Sequence, residues 1–244
     1  MEIVPGVHAI DRLGVGRAYL YQEADPSASL RASRLTLIDT GLAGSAERIF
    51  AAIERIGRKP EDLRQIVITH YHRDHTGALA DVVERTGAQV LVHALDAPVV
   101  RGERPPAPPN PTGAWRLLGP LLARGDATAK PVRVDRELTD GDEIELDGGA
   151  RVVHAPGHTP GSIAIYVPGR RLLFAGDAAA NAFGIGPPAG PFGLFNEDRT
   201  QLKPSFRKLA ELDFDAAFFG HGKPLDKDAS RAFRKAAERL RQAP

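Results

Sequence analysis

Apolar residues recur along this chain in two patterns, and the two patterns alternate in blocks. Short apolar runs predict strands near 3–10, 17–22, 34–38, 66–69 and 89–93, and again near 143–146, 151–154, 163–167, 172–175 and 216–219. Apolar positions three and four apart predict helices near 45–56, 76–85, 200–212 and 228–241. In the first of these, Ile49, Phe50, Ile53 and Ile56 share one face. A strand-rich block followed by helices occurs twice. That order fits an α/β protein of two packed sheets with helices outside.

Two segments interrupt the plan. Residues 101–112 are proline-rich and predict an extended chain, followed by a short apolar helix with Trp115, Leu117 and Leu118. Together they read as an insertion at about 98–125 in a single domain spanning 1–244. Such a helix is too apolar to be left in water. It is expected to cover a pocket mouth or the same segment of a second subunit, which makes a homodimer the alternative to a lid. The second segment, 178–196, carries no charge and holds Phe183, Phe192 and Phe195. With Trp115, these aromatics are the expected substrate-pocket wall.

Composition narrows the classes. The chain has 244 residues, 42% of them apolar and 26% charged, with a net charge of +1. These values fit an ordinary soluble domain. No apolar stretch has the length of a membrane span, and the N-terminus lacks the pattern of a signal peptide, so the cytoplasm is the expected location. Without blocks of Lys or Arg, no nucleic-acid partner is expected; the expected partner is a small-molecule substrate. Cysteine is absent, which excludes disulfides, iron–sulfur clusters and a thiol nucleophile.

The chemistry concentrates in Thr69-His70-Tyr71-His72-Arg73-Asp74-His75-Thr76-Gly77, at the end of the apolar run Gln65-Ile66-Val67-Ile68. Three imidazoles and a carboxylate within six residues suit a divalent metal such as zinc. On an extended chain His70 and His72 point the same way, and Tyr71 and Arg73 point the other. Asp74 and His75 open a predicted helix. One pair can serve one ion and the other pair a second ion beside it.

His-x-His-x-Asp-His after an apolar strand resembles the metallo-β-lactamase-fold hydrolases. The rest of that signature follows in order: Leu37-Ile38-Asp39-Thr40-Gly41, Ala155-Pro156-Gly157-His158-Thr159-Pro160-Gly161, Leu173-Phe174-Ala175-Gly176-Asp177 and Phe218-Phe219-Gly220-His221-Gly222. The resemblance implies a four-layer αββα sandwich with the metals at one edge. It also implies a two-metal site. His70, His72 and His158 would hold one ion, Asp74, His75 and His221 the other, and Asp177 would bridge them. Asp74 and Asp177 are the catalytic carboxylates of this reading. Asp39 would hold a ligand imidazole or a nearby backbone group. The metals would be zinc, with iron or manganese as alternatives. Paired ions lower the pKa of water toward neutrality, supplying a hydroxide nucleophile, and polarise the substrate oxygen. His8, His93 and His154 are expected to have no metal role.

Within the superfamily the seven-residue set resembles glyoxalase II and its relatives. Only 23 residues follow His221, where glyoxalase II carries a helical domain that supplies basic residues for glutathione. This chain is therefore expected to take a small thioester, ester or lactone other than a glutathione thioester. Acyl-homoserine lactonases use a tyrosine after the bridging aspartate, whereas all four tyrosines here precede Asp177. The alternatives are a phosphodiesterase or β-lactam hydrolase of the same fold, or a metal-binding member without turnover. The uncharged 178–196 segment argues against a polyanionic substrate. The complete set of candidate ligands argues against a member without turnover.

Overall fold

The structure is a computed structural model that describes residues 1–10, 13, 16–23, 34–108, 129–181 and 196–242. Twelve strands are described, in two sheets. The seven-stranded sheet has the order β1 (Glu2–Val4), β2 (Val7–Ile10), β3 (Ala18–Gln22), β4 (Leu35–Ile38), β5 (Leu63–Ile68), β6 (Gln89–His93) and β7 (Arg136–Leu138). Its first four strands are antiparallel neighbours, and β4 to β7 run parallel. The five-stranded sheet runs β12 (Ala216–Phe218), β11 (Leu172–Phe174), β10 (Ile163–Val167), β9 (Ala150–His154) and β8 (Glu143–Ile144), with only β11 and β12 parallel. The described α-helices are α1 (Ala46–Arg55), α2 (Arg73–Thr76), α3 (Leu79–Thr86), α4 (Ala97–Val100), α5 (Arg199–Ala210) and α6 (Ala229–Gln242).

Three apolar clusters separate four layers, and strand alternation decides which cluster each residue joins. Leu20, Ile66, Ile68, Val90 and Val92 face Ile49, Phe50, Ile53, Leu79 and Val82 of α1 and α3. Their neighbours Tyr19, Tyr21, Val67 and Leu91 point through the sheet to meet Val152, Ile165, Phe174 and Phe218 of the other sheet. On the far side, Val153, Ala164, Leu173, Ala217 and Phe219 pack against Phe206, Leu209, Phe233 and Ala237 of α5 and α6. The result is the αββα sandwich. None of the described helices is long and apolar enough to cross a membrane.

Several boundaries differ from the sequence expectation. The strand expected over 3–10 is a hairpin, β1 and β2, turning at Pro5–Gly6. The helix expected over 76–85 is two pieces: the Gly77 amide leaves the helical ladder to donate to the Gly41 carbonyl (2.9 Å). β7 was not expected from the sequence, and the strand expected over 143–146 stops at Ile144. Of the 98–125 insertion, only 98–108 are described, so Trp115 and its helix lie outside the described residues. Phe183, Phe192 and Phe195 also lie outside them.

The topology gathers chemistry at one edge. The parallel strands β4, β5 and β6 end together, and the chain leaves them at Asp39, at His70 and before Asp96. Such carboxyl ends are where α/β sheets bind ligands. From the other sheet, β11 leads to Asp177, β12 to His221, and the β9–β10 connection carries His158. The edges are stitched together: Ile163 N donates to Thr69 O (2.9 Å), Arg17 N to Gly220 O (2.9 Å), and the Tyr19 hydroxyl to Phe219 O (2.7 Å).

Candidate metal centre

The structure brings His70, His72, Asp74, His75, His158, Asp177 and His221 together at this edge. Their nitrogen and oxygen atoms form three close groups: His70 with His72 and His158, His70 with His75 and Asp177, and Asp74 with His75 and His221. Within each group the atoms lie within 4.8 Å of one another. Asp177 reaches both halves. Its Oδ2 is 3.3 Å from His158 Nε2 and 3.1 Å from His221 Nε2, and its Oδ1 is 3.6 Å from His75 Nε2. Asp74 Oδ2 lies 3.2 Å from His221 Nε2 and 3.7 Å from His75 Nε2.

Supporting hydrogen bonds fix which nitrogen each ring presents. The Thr69 hydroxyl donates its proton to Asp39 Oδ2 (2.8 Å), so it must accept from His70 Nδ1 (3.1 Å). That leaves the His70 Nε2 lone pair pointing inward. His75 Nδ1 lies 2.8 Å from Asp39 Oδ2, and His158 Nδ1 lies 2.8 Å from Asn196 Oδ1. Both of these acceptors take the Nδ1 proton and turn the Nε2 edge of the ring toward the centre. His72 differs: its Nδ1 faces His158 Nε2 at 2.9 Å. The backbone prepares the same geometry. Thr40 N and Oγ1 donate to the His75 carbonyl (2.7 and 2.8 Å). A Cβ on Gly220 would fall on Asp177 Oδ1 and lie 2.6 Å from His75 Cε1, so only glycine fits there.

The electrostatics divide the site. Burial, together with the neighbouring imidazoles, lowers His70 far below the usual histidine range. His72 falls to about 3, chiefly through burial and then His158. Both rings are therefore neutral, as a metal ligand must be. On the other side burial also opposes charge, but the carboxylates outweigh it. Asp39, Asp177 and Asp74 push His75 up to about 9, and Asp177 and Asp74 push His221 up to about 11. Asp74 and Asp177 shift the opposite way: burial would raise them, yet His75 and His221 hold both below the usual carboxylate range.

Does a cation fit? Among the described side chains, the buried polar atoms without a hydrogen bond are His70 Nε2, His75 Nε2, Asp177 Oδ1 and, on α5, Arg207 Nε. An unsatisfied buried polar atom costs about 1–3 kcal/mol. Three such atoms converging among imidazoles and ionised carboxylates are what divalent cations would satisfy. The donor set fits.

Tyr71 and Arg73 do point away, as alternation expects: Tyr71 packs into the helix-side core and Arg73 is exposed. The Tyr71 hydroxyl donates to Glu197 Oε1 (2.5 Å) and accepts from Ala107 N (3.1 Å). His93 and His154 stack on each other (4.2 Å between centroids, 12° between planes). His8 lies on β2, and none of these three histidines belongs to a cation-holding group among the described residues. Asp39 does contact a candidate ligand, through His75 Nδ1. Sequence reasoning missed Thr69, Asn196 and Asp96. Asn196 stands at the end of the uncharged segment, which marked a place but no role. Asp96 opens α4 in an ordinary helix-start pattern.

The model of the metallo-beta-lactamase superfamily matches residues 18–221. The "Probable metallo-hydrolase YflN" of Bacillus subtilis is 30% identical over 240 residues, covering 92% of this chain and 86% of that one. The hydroxyacylglutathione hydrolase of Rhodospirillum rubrum is 30% identical over 187 residues, but the match covers 76% of this chain and only 56% of that protein. The metallo-beta-lactamase family protein TTHA1429 from Thermus thermophilus superposes over 99% of this chain and 81% of its own, with a TM-score of 0.69 at 23% identity.

Proposed function

The chain belongs to the metallo-β-lactamase superfamily, and from that premise we propose that it is a dinuclear metal-dependent hydrolase of a small thioester, ester or lactone. The observation that carries the reading is the convergence of His70 Nε2, His75 Nε2 and Asp177 Oδ1, buried and without hydrogen bonds, amid four further candidate ligands. In this reading His70, His72 and His158 hold one ion and Asp74, His75 and His221 the other. Asp177 is the carboxylate shared between them. Zinc suits the nitrogen-rich half best. Two ions held there would acidify water and polarise the scissile carbonyl.

The chain's own residues supply orientation and access. Asp39, Asn196 and Thr69 lock the tautomers of His75, His158 and His70, so ligand geometry needs no rearrangement when substrate arrives. Asp74 and His221 have side-chain exposures of 22% and 25%, against 5% or less for His75, Asp177 and His158. His72 of the other group is only partly buried as well, so both halves have an accessible member. Asp74, the partly exposed carboxylate, is together with Asp177 a catalytic carboxylate of this reading. With no cysteine in the chain, a covalent thiol intermediate has no nucleophile.

A hydrolysis panel on the metal-loaded protein tests the reading, scored by kcat/KM across thioesters, esters, lactones, β-lactams and phosphodiesters. Thioesters or lactones should lead. A lead for phosphodiesters or β-lactams would replace the acyl-bond assignment. No turnover across the panel would leave a metal-binding member without this activity.

A further inference from the structure

Asp96 is fully buried, carries no place in the ligand set, and holds three hydrogen bonds. Its Oδ2 accepts from Tyr71 N (3.1 Å) and the Thr159 hydroxyl (2.7 Å), and its Oδ1 accepts from Gly161 N (2.7 Å). Tyr71 lies between His70 and His72, and Thr159 and Gly161 follow His158. One carboxylate thus ties together the two loops that supply the imidazole-rich group. The fit is close: a Cβ on Gly161 would lie 2.5 Å from Asp96 Oδ1. Thr159 is braced further, since its amide donates to Ser162 Oγ (2.9 Å) and its hydroxyl lies 2.9 Å from the same oxygen. A fully buried carboxylate is retained only where its hydrogen bonds repay desolvation.

The other group is anchored elsewhere. Thr40 holds the His75 carbonyl, Asp39 holds the His75 ring, and His221 follows β12. Asp39 also reaches His70 by way of Thr69, so its bonds touch both groups. Those of Asp96 reach only one. We propose that Asp96 is a positioning residue for one half of the centre: it fixes the His70–His72 loop against the His158 turn and so sets the cation affinity of that half alone. The inference rests on the two-ion reading above.

The test is a competition titration of zinc against a chromophoric chelator, read as stepwise affinities on the 244-residue chain. Asp96→Ala should weaken one step by about 10–100-fold and leave the other within about threefold. In a His221→Ala background, where the imidazole-rich group holds the remaining ion, Asp96→Ala should keep its full effect. In a His158→Ala background it should add nothing. Thr159→Val, which removes one of the three bonds, should shift the same step by less, with an unchanged circular dichroism spectrum. It carries the test if Asp96→Ala does not fold. Equal weakening of both steps, no weakening, or a persistent effect without His158 would overturn the inference. A wild-type protein that takes one ion would end the two-ion reading instead. Asp96 would then stand only if Asp96→Ala and His158→Ala weaken that same ion.

Discussion

Gly220 is the residue on which the geometry of the centre presses hardest. It sits one position before His221, and the space a Cβ would need is occupied by the Asp177 carboxylate and the His75 ring. Gly220→Ala must therefore displace the carboxylate shared by both halves. Metal content of the purified variant should fall well below wild type, with turnover lost alongside it, and the displaced buried groups should also lower the melting temperature of the metal-free protein. Full metal content would show that Asp177 does not need its present position. His154 makes a useful contrast. Its Nε2 lies 2.8 Å from the Pro160 carbonyl, in the turn that follows His158. His154→Ala removes one hydrogen bond and should cost about 0.5–1.5 kcal/mol of stability, measured by urea denaturation, with metal retained. Metal loss as severe as in His158→Ala would overturn that assignment. At this scale much was legible, because His70, His72, Asp74 and His75 are close in sequence and their residue types declare their chemistry. Asp96, Asn196 and Thr69 were not legible. An aspartate before a short helix looks the same whether it caps that helix or bonds to Thr159, 63 residues away.

Among the elements, α6 shows how an outer layer supports the site. Phe233 is fully buried and stacks on Phe206 of α5 (5.1 Å between centroids, 11° between planes) and Phe219 (6.0 Å, 11°). Phe219 leads directly to Gly220 and His221. Phe233→Ala should cost about 3–5 kcal/mol, through lost burial and an incompletely filled cavity. Urea denaturation of the metal-free protein checks this, and a cost below about 1 kcal/mol would mean α6 does not brace the β12 end. The paired strands were legible as short apolar runs buried on both faces, and the amphipathic helices because one face of each is apolar at a fixed period. β7 was not: of Arg136, Glu137 and Leu138, only Leu138 is buried, so no alternation marks the strand. The break between α2 and α3 was hidden as well, because it is made by the Gly41 carbonyl on a remote loop.

For the whole molecule, the centre couples folding, protons and metal. Without metal, His75 and His221 hold protons up to about pH 9 and about 11, against an ordinary value of 6.5. Folded values raised above the unfolded one contribute stability that is fully present below pH 6.5 and is lost as pH climbs through about 9 and then 11. A cation needs the lone pairs those protons occupy. Loading at pH 7 should therefore release about two protons per chain, falling toward about one near pH 10, and apparent affinity should rise with pH across that range. Calorimetric titrations in buffers of different ionisation enthalpy measure the release directly. No release at pH 7 would mean that these two imidazoles do not bind metal.

The central claim is that one chain holds two ions in two neighbouring groups sharing Asp177. Elemental analysis of the fully loaded, desalted protein tests it most directly, run on wild type and on His221→Ala. The account predicts about two equivalents per chain for wild type and about one for His221→Ala, from the six candidate protein ligands that remain. A clean plateau at one equivalent in wild type, unchanged in His221→Ala, would contradict it.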